Sequence, residues 1–225
     1  MCGFIGFTGI IDRREDVIRK MAERIIHRGP NSGGFHYSGE NDNDSVTLGF
    51  RRLSIIDLSD GSQPMYNEDG SVVIVFNGEI YNFMDLRDEL IAKGHIFKTH
   101  CDTEVIIHGY EEWGKKIAEK LRGMFAFVIW DKKTNVLYGA RDPFGIKPFY
   151  YTKVKSGLVF GSEIKSFLEH PDFKPEVNEN ALRPYLTFQY SSLEETFFKG
   201  VFKLPPAHYF TYSAGKMEKT RYFDF

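Results

Sequence analysis

The chain has 225 residues, 42% of them hydrophobic and 27% charged, with a formal net charge of −2. That composition suits a soluble globular protein of one large domain or two small ones. It offers no basic field for nucleic acid, and no apolar run approaches the ~20 residues that span a bilayer. Only two cysteines occur, Cys2 and Cys101, which is no disulfide framework. The start also lacks the basic and apolar regions of a signal peptide, so a reduced, cytoplasmic protein is expected.

Cys2 to Thr8 reads as a buried strand, with Gly3 and Gly6 allowing close backbone approach. Cys2 directly follows the initiator Met, which is normally trimmed before so small a residue. Trimming would leave a thiol and a free α-amine on one residue. Such an amine has a reference pKa of roughly 7.7–8.0, so near neutral pH a useful fraction is an unprotonated base. Nucleophile and base then need no separate His. The other reading is a buried strand with an incidental Cys, because free Cys is often buried.

After Arg14, Val17, Met21 and Ile25 recur at helical spacing, as do Ile18, Ala22 and Ile26, before a stop at Gly29-Pro30. Phe35–Tyr37 and Val46–Phe50 alternate as two strands around the polar turn Glu40–Asp44. Asp57–Pro64 reads as a loop. Val72–Phe76 is a strand ending in Asn77-Gly78, followed by helices from Asn82 to Gly94 and from Asp102 to Trp113. Met124–Trp130 pairs with Val136–Ala140, and Phe149–Thr152 with Leu158–Gly161. Short helices are expected at Glu163–Leu168 and Asn180–Leu186. Beyond residue 171 proline becomes more frequent, and a last hairpin surrounds Ser213-Ala214-Gly215. Strands outnumber helices, which favours an α+β layered sandwich over a doubly wound sheet.

Several segments carry two readings. His27-Arg28-Gly29-Pro30-Asn31 is either a substrate-side loop or a helix end. Arg51 and Arg52 sit in an apolar run and alternate in face, so one can reach a carboxylate while the other is solvated. Asn77-Gly78 is a type I′ hairpin signal, or a side-chain amide and a backbone N–H aimed at an oxyanion. Asp102 is placed to N-cap its helix or to meet an ammonium. Arg141–Pro148 is a rigid surface turn with an internal ion pair, or functional. Ser32-Gly33-Gly34 lacks the rest of a phosphate loop, and the seven His show no metal-ligand spacing.

In this order, MCGFIGF, HRGPNSGG, RRLSIIDLSDGSQPMYN, FNGEIYNF, THCDTEVI, LRGMFAFVIWD, ARDPFGIKPFYY and FGSEIKSFLEH resemble the class II glutamine amidotransferase domain of the asparagine synthetase family. The resemblance runs nearly end to end. It implies an N-terminal-nucleophile fold, an αββα sandwich of two antiparallel sheets, that hydrolyses L-glutamine to glutamate and ammonia. Carried over by motif, Cys2 is the nucleophile and its α-amine the base, and Asn77 and Gly78 form the oxyanion hole. Arg52 holds the substrate carboxylate, which leaves Arg51 to solvent. Leu53, Ser54, Ile55 and Ile56 line the pocket, and Glu79 with Asp102 grips the ammonium. No cofactor is implied here; ATP and Mg belong to a synthetase domain marked by an SGG-x-D-S loop, which this chain lacks.

The whole chain is accordingly expected to be one amidotransferase domain, with a catalytic core over 1–170 and a segment over 171–225 leading toward the synthetase domain. The partner is that domain in a longer polypeptide or a separate synthetase subunit, and a homodimer is compatible with the sequence. Phe50-Arg51 stands where the family often has His and an acidic residue, at the pocket rim. The competing reading is a non-catalytic module that docks onto or regulates a synthetase. The acceptor of the ammonia is not written in these residues.

Overall fold

The computed structural model describes residues 1–39, 45–53, 61–191 and 193–224. Strand β1 (Gly3–Thr8), buried throughout, is followed by helix α1 (Arg14–Arg24) and strands β2 (Ser32–Tyr37) and β3 (Val46–Arg52). A two-residue β4 (Met65–Tyr66) precedes the long β5 (Val72–Ile80). Helices α2 (Phe83–Ala92), α3 (Asp102–Trp113) and the single turn α4 (Ile117–Lys120) come next. Two hairpins follow, β6 (Gly123–Asp131) with β7 (Val136–Arg141) and β8 (Tyr150–Val154) with β9 (Gly157–Gly161). The chain closes with a 3₁₀ segment (Ile164–Glu169), α5 (Glu179–Phe188), β10 (Val201–Lys203), β11 (His208–Ser213) and β12 (Lys216–Arg221). Among the described residues no helix is long and apolar enough to cross a membrane.

The strands form two antiparallel sheets, in the orders β10-β8-β9-β1-β3-β2 and β12-β11-β7-β6-β5-β4. Period-two alternation gives each sheet two apolar faces, and three separate cores result. Phe4, Leu48, Phe50 and Phe160 of the first sheet meet Val73, Val75, Val128 and Phe210 of the second between the sheets. Ile5, Phe7 and Val159 face outward onto Ile18, Met21 and Ile25 of the α1 segment. Ile74, Phe76, Phe127 and Ile129 face outward onto Leu86 and Leu90 of α2 and Val105 and Ile106 of α3. The molecule is therefore a four-layer αββα sandwich, as the resemblance implies.

Alternation also positions the site. Cys2 shares the parity of Phe4, Arg52 that of Phe50, and Asn77 and Glu79 that of Val75. All four therefore project toward the space between the sheets, at the end where the inter-sheet core stops. Cys2 packs against that core.

Several expectations are corrected. Asn77-Gly78 makes no hairpin: β5 runs through it to Ile80, paired in register with β6 at Asn77↔Ala126, Gly78↔Phe125 and Ile80↔Gly123. A partner strand nine residues long overrides the local turn signal. Gly78 serves packing instead, since a Cβ there would lie 2.4 Å from the Met124 carbonyl oxygen. Asp102 is not the N-cap of α3; Cys101 holds that position, and the Asp102 carboxylate accepts the Ile80 N–H at 2.9 Å. Arg51 is not left to solvent, because it is half-buried and donates from Nε to the Gly29 carbonyl at 3.1 Å. Arg141–Pro148 is no surface turn with an internal pair. Asp142 is fully buried, and its carboxylate accepts the N–H groups of Phe125, Phe144, Ile146 and Lys147. Arg141 donates to the carbonyls of Gly145, Lys147 and Leu204. The helix expected from Glu163 is a 3₁₀ segment displaced by one residue. The turn Glu40–Asp44 and the loop residues before Gly61 lie outside the described residues.

Candidate active site

At the open end of the inter-sheet core lies a cavity of about 500 Å³, within the range of small-molecule sites. Of the residues proposed from sequence, Cys2, Arg52, Leu53, Asn77, Gly78, Glu79 and Asp102 all line it. Ser54, Ile55 and Ile56 lie outside the described residues.

The Cys2 end is fixed by backbone and by charge. β1 pairs with β3 from Gly3 and with β9 from Ile5, and Phe4 exchanges hydrogen bonds with Ser162. Arg28 Nε donates to the Cys2 carbonyl at 2.9 Å, while Nη1 meets the Glu163 carboxylate at 3.1 Å. Burial would raise the Glu163 carboxyl, but hydrogen bonds from His27, Arg28 and Lys165 outweigh it and hold the carboxyl below its usual range. The Cys2 sulfur accepts the Leu53 N–H at 3.4 Å and lies 3.8 Å from the Leu53 carbonyl. Leu53 thus orients the thiol from the end of β3. A Cβ on Gly3 would come 3.0 Å from Arg28 Cδ, a close approach that favours the glycine beside Cys2.

Asn77, lining the same cavity as Cys2, is 2% exposed, and its Nδ2 has no hydrogen-bond partner among the described residues. A buried amide donor is almost always paired, so this one is a group held ready for an acceptor. Asp102 lies at the first turn of α3. Burial, with the nearby Glu79 charge adding, pushes its carboxyl up to about 6. An incoming cation would reverse that shift. Arg52 also lines the cavity, its Nη2 3.3 Å from where a side chain on Gly61 would begin. Gly61 has φ +88°, a conformation and a space that both favour glycine. The cavity therefore gathers a guanidinium, two carboxylates, a thiol, and an amide donor with no partner among the described residues.

Residues without a role assigned from sequence also take part. Arg28 lies in the His27–Asn31 segment, where the substrate-side alternative was its only signal. Gln63 bridges to Phe76, accepting its N–H at 2.6 Å and donating to its carbonyl at 3.2 Å, so it continues the sheet edge past β4. Lys147, buried, reaches the same cavity from the loop after β7.

Away from the cavity, Glu68, His95 and His108 bring ligand atoms within 4.8 Å of one another. His108 Nδ1 there contacts Glu111 at 2.9 Å. Burial would lower His108, but Glu104 and Glu111 hold it up at about 9, so the group is an ion-pair network around an imidazolium.

Residues 1–223 match the family model described as a glutamine amidotransferase domain. The chain is 45% identical to asparagine synthetase [glutamine-hydrolyzing] 1 of Bacillus subtilis (strain 168), over 94% of this chain and 33% of that protein. It is 39% identical to asparagine synthetase [glutamine-hydrolyzing] 3 of the same organism, over 100% of this chain and 37% of that one. The chain thus spans about a third of the length of these curated relatives. Among solved structures it superposes on the glutamine phosphoribosylpyrophosphate amidotransferase from B. subtilis with a TM-score of 0.70, at 17% identity. That likeness covers 99% of this chain and 49% of the other, and it concerns the fold. With nearly every residue inside the family match, and the sandwich and its cavity in place, the chain belongs to the glutamine amidotransferase domain family.

Proposed function

We propose that this chain hydrolyses L-glutamine to glutamate and ammonia through a thioester on Cys2. The observation that carries this reading is the unpaired, buried Asn77 Nδ2 in the same cavity as the Cys2 sulfur. Removal of Met1 would make the Cys2 nitrogen a free amine, able to take the thiol proton. The thiolate attacks the side-chain amide carbon, and the electron pair of the C=O bond moves onto oxygen. Asn77 Nδ2 and the backbone at Gly78 meet that oxyanion. The amine then returns the proton to the leaving nitrogen, and ammonia departs as the C–N bond breaks. Water, deprotonated by the same amine, attacks the thioester and releases glutamate.

Substrate selection follows from the charges of both signs that line the cavity. A free amino acid is a zwitterion. Arg52 suits its carboxylate by bidentate hydrogen bonding, and Glu79 with Asp102 suits its ammonium. The ammonia serves ATP-dependent amidation of a carboxylate, asparagine formation or a related reaction, in a synthetase portion such as the remainder of the relatives provides. With both cysteines free, the reaction is assigned to the reducing cytoplasm.

Glutamate release from glutamine by protein of verified N-terminal mass tests the reading. Trimmed protein should turn over and Cys2→Ala should not. Equal rates for the two would refute it in favour of a non-catalytic docking module.

A further inference from the structure

The surface of α5 and the segment after it departs from the rest of the molecule. Tyr185, Leu186, Phe188, Tyr190 and Leu193 are all exposed, Leu186 by 78% and Phe188 by 68%. No charged residue occurs between Arg183 and Glu194, and α5 buries only Ala181. A solvated helix face is normally charged, and depletion of charge with enrichment in Tyr and Phe marks the core of a protein interface.

The segment is anchored rather than trailing. Asn178 donates from Nδ2 to the Thr196 carbonyl at 3.0 Å, and its N–H to the Phe197 carbonyl at 2.8 Å. Tyr185 packs edge-on to Phe197 with ring centroids 5.0 Å apart. Glu194, just past the patch, accepts the Lys203 N–H through its carbonyl and pairs with Lys219 of β12 at 2.5 Å. The apolar side chains are thus held outward by a braced frame, against the flank that carries the last strand.

We propose that this face docks the synthetase portion to which the ammonia is delivered. The inference rests on the reading above that such a portion is the domain's partner. What selects that occupant is the make-up of the relatives. About two thirds of each lies outside the match, so in those proteins the matched third is joined to a much larger remainder. Leu186, Phe188 and Tyr190 are mostly exposed, with Tyr185 partly so beside them, and together they supply an apolar centre of the kind found in an interface of roughly 800 Å² per partner.

The test exchanges the matched third of the B. subtilis asparagine synthetase 1 for this chain. Hydroxyl-radical labelling of Tyr185, Phe188 and Tyr190 is then compared between this hybrid and the isolated chain. Labelling of all three should fall severalfold in the hybrid, while that of Phe144 on the loop after β7 stays the same. Unchanged labelling at the three positions overturns the proposal, whatever the turnover. In the same hybrid, Leu186→Glu with Phe188→Glu should lower glutamine-dependent amide synthesis about tenfold or more. Glutamate release and ammonium-dependent synthesis should be unaffected. Equal glutamine-dependent synthesis would also overturn it. So would an isolated chain that sediments as a dimer and becomes monomeric with the two substitutions, since a second copy is then the occupant. Loss of glutamate release in the unsubstituted hybrid would strike the glutaminase reading alone, since the labelling still decides the surface.

Discussion

A buried donor with nothing to donate to costs the folded state about 1–3 kcal/mol, and Asn77 Nδ2 is such a donor. Asn77→Ala is therefore expected to lower turnover by about 10²–10³, the usual effect of losing one oxyanion donor. Its thermal midpoint should not fall correspondingly; a large drop would make Asn77 structural. Asp102 behaves in the same spirit. Its folded value of about 6 lies above the ordinary 3.8, so ionisation works against folding, and stability is lost as pH rises from about 4 through 6. Ionisation is also what an ammonium needs. KM for glutamine should rise as pH falls through about 6, and Asp102→Asn should remove that limb while leaving the protein at least as stable at pH 7. A limb that persists in Asp102→Asn would assign it to another group.

At the level of elements, the site depends on one side chain behaving as backbone. β4 pairs with β5 only at Ile74 and Val73, and Gln63 supplies both hydrogen bonds at Phe76, where no strand continues. Gln63→Leu leaves two backbone groups to be resolvated or stranded. A loss of about 1–3 kcal/mol in denaturant unfolding is expected, together with weaker glutamine binding from a displaced Asn77. The sequence made the strong elements legible, because Val17–Ile26 and Phe83–Leu90 carry apolar residues at helical spacing and β6 is a long β-branched and aromatic run. The two-residue β4 and the three-residue β10 are too short to show a period. Asn77-Gly78 was ambiguous for a different reason: its turn propensity is local, whereas the β6 pairing that overrides it lies more than forty residues away. Of the residues lining the cavity, the motifs named Cys2, Arg52, Asn77 and Asp102, but Arg28, which holds the Cys2 carbonyl and pairs with Glu163, is joined to them by no local pattern.

Over the whole molecule, the late strands are structural members of both sheets. β10 pairs with β8 and β11 with β7. Phe210 sits in the inter-sheet core beside Phe149, with ring centroids 5.6 Å apart, and fills the space that Gly139 leaves. A chain ending at residue 170 is accordingly expected to lose cooperative unfolding, monitored by near-UV circular dichroism and calorimetry. A sharp native-like transition in it would place the folding unit before residue 171. The central position of β1 has a consequence in time as well as in space. Its neighbours are β3 and β9, so the strand that carries Cys2 stays half-paired until residues 157–161 have been synthesised, and the Arg28 brace waits for Glu163. The frame around Cys2 is thus complete only when the far side of its own sheet arrives.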